Sequence, residues 1–305
     1  MSMNVPITPP GSAHDAGSTP IERSEVGSTP IETREIGHRK RYWQWPVGGV
    51  LILLGLLLLS AFLENPNLEL DVIGEYLFSP PILSGVLVTL ELTALCMIVG
   101  VVGALVLALM RMSENPLLTT LAVLYLWFFR SVPILVQLLF WGFIGAFLPI
   151  FRIGIPFTDI SFGSINLVAT MSPFAAAFMG LMLNEVAQAS EIIRGGLLSV
   201  DAGQTLAAKA IGLSPVKRLR RIILPQALRF ILPPMGNSVI LMVKTTSLVS
   251  VIGGLDLLTR TQNIYLQTFQ ILPLLVVATI WYLVIISALS IAQEILERYY
   301  GRGAL

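Results

Sequence analysis

Histidine and cysteine are nearly missing from this chain of 305 residues, which has two of the first and one of the second. Cys96 lies inside an apolar run, so no internal disulfide can form, as fits a non-secreted membrane protein. His14 and His38 both fall in a polar N-terminal stretch. Histidine-based metal sites and Ser-His-Asp chemistry are thereby removed from the remainder of the chain. No Gly-rich loop ending in Lys-Ser or Lys-Thr occurs, so the chain has no P-loop with which to bind ATP. Charge is scarce as well: 12% of residues carry it, and the net charge is +1. No basic run is interleaved with aromatics, and nothing points to nucleic acid as a partner.

Apolar residues are what the chain has in abundance. They make up 55% of it, and the mean hydropathy of +0.80 is far above that of a soluble domain. The chain is expected to be an all-α membrane protein, driven by an ion gradient or by another subunit.

Residues 1–41 are expected to form a disordered tail. They hold a ten-residue tandem repeat, STPIERSEVG at Ser18–Gly27 and STPIETREIG at Ser28–Gly37. Two polar copies are too few to stack into a solenoid. A duplicated linker and a phosphorylated or docking tail both remain open. The first apolar run begins too late for a cleavable signal peptide. His38–Arg41 abuts Tyr42, Trp43 and Trp45, a basic anchor before an interfacial aromatic belt.

Six spans follow: Val47–Leu63, about Gly85–Met110, Leu118–Leu148, Phe174–Leu198, Pro234–Gly253 and Leu272–Leu296. The first, with its loop, occupies residues 42–80. The third is long enough to include an interfacial lead-in helix before Arg130, with Pro133 bending the chain just after it. The segment Pro149–Ser172 is expected as an outer loop. The connection after the first span holds Glu64, Glu69, Asp71 and Glu75 but no Lys or Arg, which puts it outside and both termini in the cytoplasm.

Polar groups inside the spans are costly and mark positions to explain. Asn184, Gln188 and Glu191 recur at i, i+4 and i+7 on the fourth span, with Glu185 at the edge of the stripe. Asn184, Glu185 and Gln188 either line a translocation pathway or make interhelical hydrogen bonds. Glu191 and Arg194 are placed to pair. Lys244 meets either a substrate carboxylate or a neighbouring Glu91 or Glu185. Pro233, Pro234 and Gly236 are expected to interrupt the start of the fifth span.

The stretch Gly203–Pro225 reads GQTLAAKAIGLSPVKRLRRIILP. Its alanines favour helix, and Gly212 stands where a helix would end. Ser214-Pro215 then signals a second helix, which Pro225 is expected to stop. Val216, Leu219, Ile222 and Ile223 should face one way, and Lys217, Arg218, Arg220 and Arg221 the other. A helix–turn–helix elbow results, apolar on one side and basic on the other.

At these residues the chain resembles the permease subunits of bacterial ABC importers, whose cytoplasmic EAA loop carries Glu-Ala-Ala, Gly and Ile-x-Leu-Pro at fixed spacing. Ala207-Ala208, Gly212, Ile222, Leu224 and Pro225 match, and Leu206 stands where the family has Glu. The polar amino acid branch, which includes histidine, glutamine, arginine and opine permeases, is similar at further motifs. These are Arg130–Pro133, Glu191–Gly195, Gly203-Gln204, Leu224–Ala227, Pro233–Asn237 and Lys244–Leu248, the last including Thr246 and Ser247. The resemblance implies a type I (MetI-like) permease core of five helices over residues 81–300, with its coupling loop at 199–230 and one extra N-terminal span. It further implies two permease subunits, identical or sibling, two ATPase subunits and an external solute-binding protein. The substrate would be a polar amino acid, carried across the inner membrane without bond chemistry or cofactor in this chain.

Overall fold

The structure, a computed structural model, describes residues 44–301 apart from 66, 67, 156, 157 and 159. The tandem repeat and the basic anchor lie outside the described residues. Backbone contacts divide the chain into two units, Met1–Leu58 and Leu59–Leu305. The first is described only as the greater part of helix α1 (Gln44–Leu63), whose side chains from Val50 to Leu59 are all exposed. Such a surface suits hydrocarbon and not water.

In the second unit, helices start where Ser or Asn precedes proline. Ser79-Pro80 opens α3 (Pro80–Arg111), Asn115-Pro116 opens α4 (Pro116–Ser131) and Ser172-Pro173 opens α7 (Pro173–Leu198). Proline at the first helical position loses nothing, because its missing N–H would have had no partner there. The Asn115 side chain accepts from the Leu117 amide and Ser172 Oγ from the Ala175 amide, which completes two of these caps. Ahead of α3 stands the short α2 (Leu70–Leu77).

The expected third span is a bent pair. Helix α4 and α5 (Ile134–Phe147) meet at an angle of 100°. Proline 133 cannot donate to the carbonyl four residues back, so Phe129 O is freed at the bend. Two side chains replace the lost donor: Gln137 Nε2 at 3.0 Å and Asn184 Nδ2 at 3.1 Å. Gln137 Nε2 also reaches Val132 O, at 2.8 Å.

The expected outer loop contains structure of its own. Strands β1 (Ile150–Gly154) and β2 (Ser161–Asn166) pair antiparallel, with Phe151 opposite Ile165, and α6 (Leu167–Thr170) follows.

Beyond α7 come α8 (Ala202–Ala210), α9 (Pro215–Arg218), a π-helical turn (Leu219–Ile223) and α10 (Leu224–Thr246), then a 3₁₀ turn (Ser247–Ile252). Two expectations need correction here. Pro225 does not stop the second helix, because Pro215–Ile252 is one helical run of 38 residues. The π turn absorbs it: the Leu224 amide reaches back five residues to Leu219 O, and the following proline, lacking an N–H, leaves the ladder at its weakest point. Nor do Pro233, Pro234 and Gly236 interrupt the span, since all three lie inside α10. A neighbouring helix supports the backbone there, as Gln293 Nε2 of α12 (Ile271–Gly301) donates to Pro233 O at 3.4 Å. Gly236 makes room for that side chain; a Cβ would stand 2.9 Å from Gln293 Cγ. Between the 3₁₀ turn and α12 lies α11 (Leu257–Thr268), which was not foreseen.

Helices α3 and α7 form the axis of the packed unit. Apolar clusters run along them: Leu92, Cys96 and Met97 with Leu138, Leu181 and Met242, then Ala104 and Ala108 with Ala189, Ile193 and Ile231. Small residues permit the approach. A Cβ on Gly103 would lie 2.8 Å from Val186, and one on Gly196 would lie 2.3 Å from Ile231. Four helices, Trp45–Leu63, Pro80–Arg111, Pro215–Ile252 and Ile271–Tyr299, are long and apolar enough to cross a membrane, and the bent pair makes a fifth. At 26 residues α7 is long enough as well, and its polar stripe lowers its hydropathy. Each expected span thus coincides with a helix or a bent pair.

Candidate functional site

The elbow is built from its caps outward. Asp201 opens α8, accepting from the Gly203 amide at 2.7 Å, and its carboxylate leans over Gly203 where a side chain would collide. Ala207, Ala208 and Ala210 carry the helix to Ile211. Gly212 follows with φ of +73°, in the left-handed region that glycine enters freely. The Gly212 amide donates to Lys209 O at 2.9 Å and the Leu213 amide to Ala208 O at 3.0 Å. These two bonds make a Schellman ending and satisfy carbonyls that α8 leaves free. Ser214 and Pro215 then begin α9 at once.

The expected faces of the second helix are shifted. Leu219 and Ile223 pack against the Ala104–Ile231 cluster and Ile222 is half-buried, but Val216 is 74% exposed. The π turn holds an extra residue, so the apolar stripe does not continue back into α9. Val216 therefore joins Ile211, 74% exposed, and Leu206, 64% exposed. Ala208 alone of α8 is buried. The elbow thus presents apolar side chains beside Lys209, Lys217, Arg220 and Arg221, all on its exposed side. Gln204 is exposed as well. Apart from its two chain neighbours, no atom of the described residues lies within 4 Å of a Cβ built on Gly212.

Above the elbow, Glu191 binds two arginines. It pairs with Arg194 at 3.0 Å, as its spacing predicts, and also with Arg111 at the end of α3. One carboxylate so ties the end of α3 to the last turns of α7, from which the elbow departs. Arg130, exposed at the end of α4, shares a cavity with Arg111.

The other candidates are scattered. Asn184 is occupied at the α4–α5 bend through its bond to Phe129 O. Glu185 is 6% exposed and lies against Gly100 of α3, where its Oε1 has no hydrogen-bond partner among the described residues. Gln188 is exposed one turn on. Lys244 is also exposed, and no pairing with Glu91 or Glu185 occurs among the described residues. Thr246 is fully buried and donates to Val243 O at 2.7 Å; Ser247 Oγ donates to Lys244 O at the same distance. Asn237 is exposed on α10. A cleft of about 570 Å³ between α3, α7 and α10 is lined by apolar residues such as Met97, Val101, Leu228 and Met235, and holds none of these polar groups.

A buried polar cluster near α11 went unnoticed in the sequence. Asp256 caps that helix, accepting from the Leu258 amide at 3.1 Å and from the Thr259 hydroxyl. Burial raises its pKa, and those hydrogen bonds work against the rise. Thr89 of α3 accepts from the Leu257 amide at 3.1 Å. The Asp-x-x-Thr spacing of Asp256 and Thr259, a helix-capping pattern, was the signal that could have located it.

Comparison with known proteins agrees with this architecture. Residues 100–302 match the family described as binding-protein-dependent transport system inner membrane component. The arginine transport system permease protein ArgU of Corynebacterium glutamicum is 41% identical over 86% of this chain and 81% of its own length. The L-cystine permease protein TcyL of Bacillus subtilis is 40% identical over 70% and 84%. The nopaline permease protein NocM of Agrobacterium fabrum is 36% identical over 69% and 84%. Among solved structures, an amino acid ABC transporter crystallised with histidines aligns at a TM-score of 0.60 and 32% identity, covering 73% of this chain and 95% of that one. The inward-facing MetNI methionine transporter aligns at 0.54 over 73% and 99%, and its 19% identity speaks for the fold alone. With two thirds of its length matched by the family model and its elbow and helix order in place, the chain belongs to the binding-protein-dependent inner membrane components, the permease subunits of ABC transporters.

Proposed function

We propose that this permease subunit carries a polar amino acid or a close relative across the bacterial inner membrane, driven by a separate ATPase that docks on the elbow. The observation that carries the reading is the elbow itself. Exposed Leu206, Ile211 and Val216 sit among cations on a Schellman-turned pair of helices, joined through Glu191 to the ends of α3 and α7. Exposed apolar side chains beside charge mark an interaction surface and not a solvated one. ATP-driven closure of two ATPase subunits would move two such elbows and switch the pathway between its two faces. The second permease subunit is a copy of this chain or a sibling, and a solute-binding protein delivers the substrate from outside.

The names of the relatives, which include arginine, cystine and nopaline permeases, support the substrate class. Both termini are assigned to the cytoplasm, with the elbow on the same side as its cations require. Gln188 and Lys244, the exposed polar groups of α7 and α10, are the assigned pathway side chains. Purifying the chain with its associated proteins, then measuring ATP hydrolysis against an amino acid panel, tests the reading. Stimulation by one or a few polar amino acids supports it. Uptake by the chain alone, powered by an ion gradient, would make it a secondary carrier.

A further inference from the structure

The elbow end of the bundle holds more positive charge than its carboxylate balances. Arg130 and Arg194 are each close enough to Arg111 to act on it electrostatically, and Glu191 is the carboxylate bonded to Arg111 and Arg194. Arg111 and Arg194 share that partner. The Arg130 side chain has no ion pair or hydrogen bond among the described residues. Glu114, in the turn after α3, is exposed and is not part of the cavity lining.

Arg111 and Arg130 are instead the two polar walls of a cavity of about 260 Å³, floored by Val123, Leu126 and Trp127. Its setting limits what could fill it. Helix α4 turns 100° from α5, the half of the bent pair that packs against α7, so α4 leaves the line that α5 follows. Its Ala122 and Leu126 face the bundle, while Leu117, Leu121, Leu124 and Trp127 are exposed on the outside. An in-plane helix with an apolar outer side sits at the headgroup boundary. Trp127, 67% exposed and beside the two arginines, is the residue type that favours that depth.

We infer that this cavity binds the phosphate of an acidic phospholipid, gripped between the Arg111 and Arg130 guanidiniums, with its glycerol and upper acyl chain over Val123 and Trp127. Guanidinium groups suit phosphate oxygens, and basic pockets between spanning helices on the cytoplasmic side are suited to anionic headgroups. A freely soluble phosphate would use the two cations but would leave the apolar floor uncovered. The lipid would thus rest on the same arginine, Arg111, that holds Glu191, and so on the junction from which the elbow departs. The inference rests on the elbow side being cytoplasmic.

Native mass spectrometry of the full-length chain in nonionic detergent, with phosphatidylglycerol or phosphatidylcholine added in equal amounts, tests the site. Wild type should retain phosphatidylglycerol in preference to phosphatidylcholine. Arg130→Gln should lower phosphatidylglycerol occupancy about fivefold, one cation's share at a membrane surface, and Arg130→Lys should restore most of it. Trp127→Ala, which changes an exposed side chain and leaves the fold intact, should weaken both lipids alike. Inorganic phosphate in large excess should not displace the lipid. Equal phosphatidylglycerol binding by wild type and Arg130→Gln overturns the inference, as does displacement by inorganic phosphate through Arg130. The measurement needs neither ATPase nor transport, so its failure is distinct from a failure of the transport reading.

Discussion

Gly212 is the residue on which the elbow's geometry turns. Its φ of +73° costs a β-branched side chain roughly 1 kcal/mol or more, and the open space around it is where a partner surface would lie. Gly212→Val is expected to insert normally yet lose the ATPase or uncouple hydrolysis from uptake. Leu206→Glu, a change on an exposed helical side chain, should be tolerated far better. Co-purification of the ATPase together with uptake measures both variants; a Gly212→Val chain that keeps its ATPase and transports normally would remove the elbow from the mechanism. The polar stripe separates in a similar way. Asn184→Leu takes one of two donors from Phe129 O and should lower stability by about 1 kcal/mol, read as thermal unfolding in detergent. Gln188→Leu touches no such bond, so it should leave stability unchanged and alter substrate-dependent uptake. Normal uptake and selectivity in Gln188→Leu would leave the stripe as helix glue.

The π turn is the element that sets how the elbow faces its partner. Pro225, which brings no N–H to the ladder, follows just after it, and the turn's extra residue offsets α9 from α10 by about 100°, one residue's turn of an α-helix. Pro225→Ala lets the segment relax to a regular α-helix and rotates α9 by that amount. Insertion and helix content, followed by circular dichroism, should hold while ATPase-coupled uptake falls; unchanged uptake would mean that the offset is irrelevant to docking. Much of the surrounding architecture was legible in the sequence. The Ser214-Pro215 helix start, the Gly212 ending, the lead-in helix before Arg130 and the Glu191–Arg194 pair all follow from local chemistry, and all are present. Proline in α10 was misjudged because the donor that supports it, Gln293, lies 60 residues further along the chain. The β1–β2 hairpin and α11 were missed for another reason: short polar-flanked segments in a loop carry little periodicity. Asn184 could be placed on a polar stripe, but its partner at Phe129 is set by tertiary packing alone.

For the whole molecule, the elbow, the Glu191 junction and the α3–α7 axis form a connected path from one end of the packed unit into its interior. The N-terminal tail stands outside the described residues and outside the region matched by the family model, which begins at residue 100. Deleting residues 1–37 while keeping His38–Arg41 should leave uptake within about twofold, because a polar repeat of that composition has no core to contribute. The most direct measurement is uptake of a labelled polar amino acid into proteoliposomes that hold the purified permease, with its solute-binding protein outside, with and without its ATPase and with ATP on the elbow side. Transport is expected only when ATPase and ATP are both present, and it should vanish in Gly212→Val. Uptake that proceeds without the ATPase, driven by a proton or sodium gradient, would contradict the assignment of this chain as a coupled permease subunit.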